Sequence, residues 1–467
     1  MQQTVSVAGS NQEKNTSVGL STAALSLGTV LNPLNSSMIA VALVILRKDF
    51  GLDVATVTWV ITAFYLASAA GQPLMGRLAD RFGPKRLFSF GMILVAFACI
   101  AAPFASNFFL LCVARVFMAI GTAAAFPSSV VMVRSLTAGS TISSTRLLSR
   151  IQMANTAGAA VGPVVGGVLV SSVGWQALFY INIPLALLSV IGVQLFAPKD
   201  PPRARQKLNE LVKASDLPGI AAFTLTLVLL LMGLLDALPG LSWLLLGAAP
   251  IAAALFAWRE LVVTKPFLDL RLLGRNRPLL LIYLAFAVFN GVYYIAFFGL
   301  PQFLEQAGGF PANVVGLLML PLAAVSVIVT PFAARAIDWF GVRKILICGM
   351  AALLVGAALL GLLTMSFQPW LIVLLAAALG IPYSAVSIAT SQGMYATAPG
   401  DAGIASGILQ TCRYLGAITS TVLIGIFFGP GVDRGAWGRL IVMMVILAVV
   451  ALVVTLFWRP AAKQPGN

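Results

Sequence analysis

Long apolar segments separated by short polar loops run through the whole sequence. Each segment is about 18 to 25 residues long, enough for a helix to cross a hydrocarbon core of about 30 Å. A membrane β-barrel would instead show segments of about 10 residues with alternating polarity. The pattern predicts an all-α membrane protein with about fourteen spanning helices, near residues 20–46, 55–75, 86–104, 108–133, 147–171, 177–196, 217–235, 241–258, 278–303, 312–334, 344–365, 369–392, 402–428 and 436–458.

Composition and charge agree with a chain that lies mostly in a bilayer. The sequence is 60% hydrophobic and 9% charged, whereas a soluble domain has about 25% charged residues. Of the 29 Lys and Arg, four lie at one side of the membrane (Arg47, Lys48, Arg434 and Arg439), 23 lie at the other side, and the remaining two are predicted to lie inside the membrane. The positive-inside rule therefore predicts a bacterial-type inner (cell) membrane protein with both termini cytoplasmic. In a soluble protein a net charge of +15 would suggest a nucleic-acid partner. In a membrane protein the one-sided distribution explains this charge, so we expect no nucleic-acid partner.

Residue types that catalysis and metal binding commonly use are scarce. The chain has no histidine, and its four cysteines all fall in predicted helices without the paired spacing of a metal site. No glycine-rich phosphate loop or soluble-enzyme motif occurs. We therefore expect no enzyme activity, no metal and no cofactor.

One loop sequence occurs twice. Residues 76–86 follow the second predicted helix, residues 334–344 follow the tenth, and both read small-x-x-x-Asp-x-x-Gly-x-basic-basic. This repeat predicts two six-helix bundles related by a pseudo-twofold axis, 1–200 and 275–467, with 201–274 forming a cytoplasmic linker and two inserted, lipid-facing helices. The candidate gating residues are Gly76, Asp80, Arg81, Gly83, Lys85, Arg86, Asp338, Gly341, Arg343 and Lys344.

Small residues are concentrated in the fifth predicted helix. Glycines four residues apart allow close backbone contact between helices, and a proline frees a carbonyl and permits a bend. We interpret this stretch as a hinge or a sealed contact between the bundles. It comprises Gly158, Gly162, Pro163, Gly166 and Gly167.

These motifs carry a resemblance to a known family. The first loop resembles the signature of the major facilitator superfamily, and the chain as a whole resembles its fourteen-helix drug:proton antiporter branch. The motif of the fifth helix fits the antiporter motif of that superfamily at every defined position. The resemblance implies secondary active transport by alternating access.

Two arginines are predicted to lie deep inside the membrane, and a charge at the bilayer centre costs about 2.5 to 3.5 kcal/mol on insertion scales. Arg115, with Met118, resembles the fourth-helix motif of the family, and Arg413 occupies the position of an arginine common in its penultimate helix. Both are candidates for substrate binding or proton coupling.

The acidic residues depart from the family pattern. Where the branch usually has an aspartate in the first helix, this chain has Asn35, and none of the 14 acidic residues falls at a helix centre. The remaining candidates for proton exchange are Glu305 and Asp236, each at an extracytoplasmic helix end. Further polar candidates for the substrate cavity are Gln152, Asn155, Asn290, Tyr293 and Tyr383.

Three hypotheses follow. The first is proton-coupled export of lipophilic, drug-like compounds, with coupling through Glu305 or a loop acid together with Arg115. The second is a specific carrier, coupled or uncoupled, of an anionic or neutral metabolite or lipid, with Arg115 and Arg413 binding the anion. The third is a transporter-like sensor without a transport cycle. In the first two, the partners are membrane lipids, a small amphipathic substrate and, where coupled, protons, and we expect a monomer.

Overall fold

The computed structural model describes residues 2–137, 144–200, 216–235, 240–263, 266, 270–397, 402–429 and 431–459, and for 2–17 and a few further positions it describes the backbone alone. Within these ranges the ordered elements are all helices. Thirteen of the described helices are long and apolar enough to cross a membrane, and Pro218–Leu234 is a shorter apolar helix. The prediction of an all-α membrane fold with about fourteen spans is confirmed.

Of the first six spans, α1 to α6, four consist of two α-helical pieces. The pieces of α1 are joined by the 3-10 turn Ile39–Ala42, and α3 ends in the 3-10 turn Ala102–Phe104. The helical pieces are Gln2–Met38 and Leu43–Asp49 for α1, Val54–Val57 and Trp59–Phe82 for α2, Pro84–Ala101 for α3, Phe108–Ala123 and Ala125–Thr137 for α4, Ser144–Ser172 for α5, and Ala177–Tyr180 and Asn182–Phe196 for α6.

The remaining spans are α7 to α14. A short helix, Leu270–Arg275, precedes α9, and the 3-10 turn Leu360–Thr364 extends α11. The bounds are Leu217–Leu234 for α7, Ser242–Val262 for α8, Arg277–Gln306 for α9, Ala312–Phe340 for α10, Val342–Leu359 for α11, Pro369–Thr397 for α12, Ala402–Phe428 for α13 and Arg434–Phe457 for α14.

Local sequence sets several of these ends. Asn107 and Asp433 cap α4 and α14, since their side-chain oxygens accept from the N–H groups of Leu110 and Ala436 at 2.9 and 2.7 Å. Gly83, between α2 and α3, has a φ of 100° and is followed by Pro84 at the first position of α3. Only a glycine adopts such a turn without strain.

The two halves pack in the same way. In the first half α1 contacts α5 and α6, α2 contacts α4, and α3 contacts α4 and α6. The second half repeats each of these pairs with helices eight positions later: α9 with α13 and α14, α10 with α12, and α11 with α12 and α14. The halves meet through two equivalent pairs, α5 with α10 and α13 with α2. This packing is that of two six-helix bundles related by a pseudo-twofold axis.

The inserted helices α7 and α8 pack mainly against each other, and α7 also touches α2 and α13. Trp243 and Leu244 of α8 are 85% and 72% exposed, as expected for side chains that face lipid. The insertion therefore lies at the rim of the bundle.

The two ends of the bundle differ in packing. We call the end where α2 joins α3 at Gly83 the basic face, because most Lys and Arg lie in its loops, and the other end the opposite face. At the opposite face the indole of Trp175 donates to Asp49 Oδ2 at 2.9 Å, and the rings of Phe50 and Trp175 lie 5.7 Å apart. Close contacts of α5 with α10 lie toward the same end.

Candidate functional site

A cavity of about 500 Å³ lies between the two halves. Its described lining comes from α1, α2, α4 and α5 of the first half and from α9, α10, α12 and α13 of the second. The lining reaches Gln152 near the start of α5 and Tyr395 near the end of α12, and both are exposed. Because both positions lie toward the basic face, the cavity opens there.

Toward the opposite face the halves are in contact. The hydroxyls of Thr62 on α2 and Thr421 on α13 are 2.8 Å apart and fully buried. On the other seam, a Cβ added at Gly167 of α5 would lie 2.5 Å from the carbonyl oxygen of Ala312 on α10. The cavity is thus open at one face and closed at the other, the geometry of one state of an alternating-access cycle.

Arg413 of α13 is held by phenols inside the cavity. Its Nε donates to the hydroxyl of Tyr294 at 3.3 Å and its Nη2 to the hydroxyl of Tyr383 at 2.9 Å. Of the described lining residues, Arg413 is the one with a charged side chain. The sequence prediction placed Arg413 and Tyr383 in one cavity, and the structure brings them into direct contact.

Aromatic rings line the wall around Arg413. Tyr293 and Tyr383 stack with their centroids 4.1 Å apart and their planes at 27°. Tyr65 comes from the first half, and its ring centroid lies 5.7 Å from that of Tyr294 and 5.6 Å from that of Tyr414. Sequence reasoning did not single out Tyr294 or Tyr414 as cavity residues, although each directly follows a residue that it did single out.

Gln152 and Asn155 of α5 line the cavity, as expected for substrate contacts. Two residues that sequence reasoning missed join the polar lining. Gln72 of α2 donates to the Tyr414 hydroxyl across the seam at 2.6 Å, and Asn32 of α1 donates to the Thr122 hydroxyl at 3.0 Å. The polar part of the cavity is built mainly from amides, phenols and aliphatic hydroxyls.

Arg115 and Met118 of α4 do not belong to the described lining. Arg115 is 1% exposed, its Nε donates to the carbonyl of Val60 at 3.2 Å, and its guanidinium carbon lies 4.3 Å from the ring centroid of Phe64. Met118 is fully buried. In this state Arg115 joins α4 to α2 within the first half. Its side chain therefore does not contact the cavity in which a substrate would bind.

Asn35 and Asn290 also lie in helix contacts rather than in the described lining. Asn35 of α1 bonds to Asn182 of α6, and both are at most 3% exposed. Asn290 of α9 is fully buried, and its Nδ2 donates to the carbonyl of Phe286 at 2.7 Å. Asn290 was expected to line the cavity, but it is packed close to Gly416 of α13 and its side chain bonds within its own helix.

The first candidate gating loop is held by an acid that the sequence motif does not contain. Asp200, just beyond α6, accepts from the backbone N–H groups of Lys85 and Arg86, both at 3.0 Å. In return the Lys85 ammonium donates to the carbonyls of Gln194 and Ala197 at 3.0 and 2.9 Å. Asp200 therefore caps the N-terminus of α3. The side chains of Asp80 and Arg81 lie outside the described residues.

The other loop residues have simpler surroundings. A Cβ added at Gly76 would lie 3.9 Å from Pro127, so α2 and α4 run close together there. In the second loop Gly341 has a φ of 83°, Arg343 donates to the carbonyl of Leu456 at 3.1 Å, and Asp338 and Lys344 are exposed. Each loop thus has a glycine with positive φ between its two helices.

The small-residue motif of α5 contacts both halves. Three of its glycines face α1. A Cβ at Gly158 would lie 2.8 Å from the Val30 side chain, a Cβ at Gly166 would lie 2.8 Å from the Met38 carbonyl oxygen, and Gly162 faces Ser37. On the other side Gly167 and Pro163 face Ala312 and Gly316 of α10. The motif therefore lies where α5 separates α1 from α10.

Glu305 lies in the last turn of α9, at the opposite face and away from the cavity. Its carboxyl group is partly buried, and Oε1 is a buried oxygen without a hydrogen-bond partner. The end of α1 packs against α9. Asp236, the other acidic candidate, lies outside the described residues.

The described residues contain no group of three or more His, Cys, Asp or Glu that could hold a metal ion. All four cysteines are free thiols.

Comparison with known proteins places these observations among transporters. The family model of the Major Facilitator Superfamily matches residues 25–421. The chain is 38% identical to the "Uncharacterized MFS-type transporter YwoD" of Bacillus subtilis, covering 91% of this chain and 93% of that protein. It is 28% identical to the "Tetracenomycin C resistance and export protein" of Streptomyces glaucescens, covering 88% and 76%.

A solved structure with the same fold is that of a bacterial homolog to the human lysosomal transporter Spinster, in an inward-facing and unoccupied conformation. It superposes with a TM-score of 0.65 at 17% identity and covers 95% of this chain and 99% of that one.

Proposed function

The chain belongs to the Major Facilitator Superfamily and is a transporter rather than an enzyme, and we propose that it exports amphipathic, drug-like compounds by secondary active transport. The observation that carries the proposal is the cavity between the halves, open at the basic face and closed at the opposite face. A relative named for the resistance to and export of tetracenomycin C supports export as the direction.

The orientation follows the charge distribution. The basic face would lie in the cytoplasm under the positive-inside rule, with both termini on that side. The cavity would then take up a substrate from the cytoplasm or the inner leaflet. Both walls of the cavity come from one chain, so a monomer suffices for the cycle.

Proton exchange is part of the proposal, with Glu305 as the coupling residue. The carboxyl group lies where the end of α9 packs against the end of α1, at the face that must open to release the substrate. Burying an ionised carboxyl with an unsatisfied oxygen is unfavourable, so opening of this face would change the free energy of its ionisation. Arg115, buried between α2 and α4, would keep the first half rigid during the movement.

A second candidate function is an uncoupled carrier of an anionic or neutral compound. It is favoured by Arg413 together with the absence of any carboxylate from the described cavity lining. Such a carrier would transport its substrate without moving protons. No observation favours a sensor without a transport cycle.

The test is flux in proteoliposomes that contain the purified protein, with a lipophilic cation and an organic anion as substrates. An imposed pH gradient should accelerate export, Glu305→Gln should abolish the acceleration, and Glu305→Asp should keep part of it. Flux that ignores the gradient in every variant would favour the uncoupled carrier. Absence of flux for every substrate would contradict the proposed function.

A further inference from the structure

The charge of the cavity is unbalanced within its described lining. Arg413 contributes one positive charge, and the other described lining residues are apolar, or are amides, hydroxyls and phenols. A cation in a low-dielectric interior is unfavourable unless it is paired. An anionic group on a bound compound would offset this cost and would form charge-assisted hydrogen bonds. A cationic compound would instead be repelled.

The hydrogen-bonding groups around Arg413 also favour an anionic group on the bound compound. Guanidinium has five N–H donors and no acceptor, and two of its nitrogens are bonded to Tyr294 and Tyr383. Each phenol oxygen that accepts from Arg413 still has its own proton to donate. The cluster is therefore rich in donors, and a carboxylate or phenolate, which only accepts, complements it.

The surrounding wall is flat and aromatic. Tyr293 and Tyr383 stack at 4.1 Å, and Phe297 continues the stack with its centroid 6.0 Å from that of Tyr293 and its plane at 22°. All three rings line the cavity. Offset stacking of a planar ring on such a wall is favourable beyond the burial of apolar area. The volume of about 500 Å³ is within the range of sites for drug-sized ligands.

We propose that Arg413, Tyr294, Tyr383 and Tyr293 form a recognition site for planar aromatic acids, compounds in which a fused or single aromatic ring carries a carboxylate or phenolate. The inference rests on the proposed function, because it assigns a substrate class to the cavity of the exporter. The acidic group would bind the guanidinium fork, and the ring would stack against Tyr293 and Tyr383.

The test is equilibrium binding to the purified full chain in lipid nanodiscs, measured by calorimetry. The probes are 2-naphthoate and 2-naphthamide, which have nearly the same shape and differ in charge. Naphthoate should bind at least about tenfold more tightly to the wild type, as expected for a charged hydrogen bond. Equal affinities for the two probes would overturn the proposal.

Substitutions locate the effect. Arg413→Gln should weaken naphthoate binding by roughly 10- to 100-fold and leave naphthamide within about threefold, whereas Arg434→Gln, an exposed arginine outside the cavity, should change neither. Tyr293→Leu should weaken both probes, while Tyr180→Leu, at an exposed tyrosine of α6 outside the cavity lining, should weaken neither. An Arg413→Gln protein that keeps the preference for naphthoate would overturn the proposal.

A further variant covers the case in which Arg413→Gln does not fold. Tyr383→Phe keeps the ring but removes one hydroxyl from the cluster, so it should reduce the preference for naphthoate and keep the binding of naphthamide. An unchanged preference there would count against the site. Binding needs no transport cycle: selective binding without flux would refute export and keep the site, and flux without selective binding would refute the site and keep export.

Discussion

The side-chain amides of Asn35 and Asn182 bond to each other in both directions: Asn35 Nδ2 donates to Asn182 Oδ1 at 2.9 Å, and Asn182 Nδ2 donates to Asn35 Oδ1 at 2.8 Å. Each Nδ2 also donates at 2.7 Å to a carbonyl one turn earlier, that of Leu31 or Leu178. All four amide hydrogens are thereby used. The pair joins α1 to α6 without charge, at the position where the resembled branch has an aspartate.

Removing one member of this pair should destabilise the first half. Asn35→Leu leaves the buried Asn182 amide without its partner, which should lower the free energy of unfolding by about 1–3 kcal/mol. Asn182→Leu should cost a similar amount, and the double variant should cost less than the sum of the two. Thermal unfolding in detergent measures all three. Additive losses would show that the two amides do not act together.

The link between Asp200 and α3 predicts that a residue outside the repeated loop sequence affects stability. Asp200→Ala removes the acceptor of two backbone N–H groups and should destabilise the protein by about 0.5–2 kcal/mol. Asp200→Asn keeps one acceptor oxygen and should cost less. The exposed Asp338 is the matched control, since Asp338→Ala should leave thermal unfolding almost unchanged. Equal effects of the Asp200 and Asp338 variants would contradict this cap.

A side chain introduced at Gly167 should shift the equilibrium away from the state that is closed at the opposite face. Gly167→Val places atoms against the backbone of α10, and overpacking of this kind costs about 1–3 kcal/mol. The cost falls on the state closed at the opposite face, so that state should lose population by roughly 5- to 150-fold. Distances between spin labels on α5 and α10 at that face should lengthen.

Gly158→Ala is the control for this experiment. It lies in the same motif but faces a side chain of α1, Val30, within the same half. The spin-label distances of the control should match those of the wild type. Lengthening in both variants would show that α5 is disturbed as a whole and that the contact of Gly167 with α10 is not specific.

The contact of Thr62 with Thr421 predicts a reversible lock. In a background without the four native cysteines, Thr62→Cys and Thr421→Cys should form a disulfide on mild oxidation, because the two hydroxyls are 2.8 Å apart. The disulfide should stop flux in proteoliposomes, and reduction should restore it. Full flux with a complete disulfide would show that α2 and α13 need not separate here.

The hydrophobic pattern of the sequence predicts where the helices lie but not how they are turned toward one another. Apolar length fixed the spans, and the repeated loop predicted the equivalence of the halves that the packing displays. Arg413 and Tyr383 were assigned to the cavity and line it. Arg115 and Asn290 were assigned to it as well, but Arg115 bonds to α2 and Asn290 bonds within its own helix. In a chain where nearly every helix position is apolar, the sequence marks a polar residue but not the side of the helix that faces the cavity. The domain boundaries at 200 and 275 stay predictions.

The lack of a carboxylate in the described cavity lining has an electrical consequence. If the basic face is cytoplasmic and the substrate is an anion held by Arg413, the substrate leaves a cell whose interior is negative. Moving one charge across 100 mV is worth about 2.3 kcal/mol, which corresponds to roughly a 50-fold concentration ratio. The membrane voltage would then add to the driving force for extrusion.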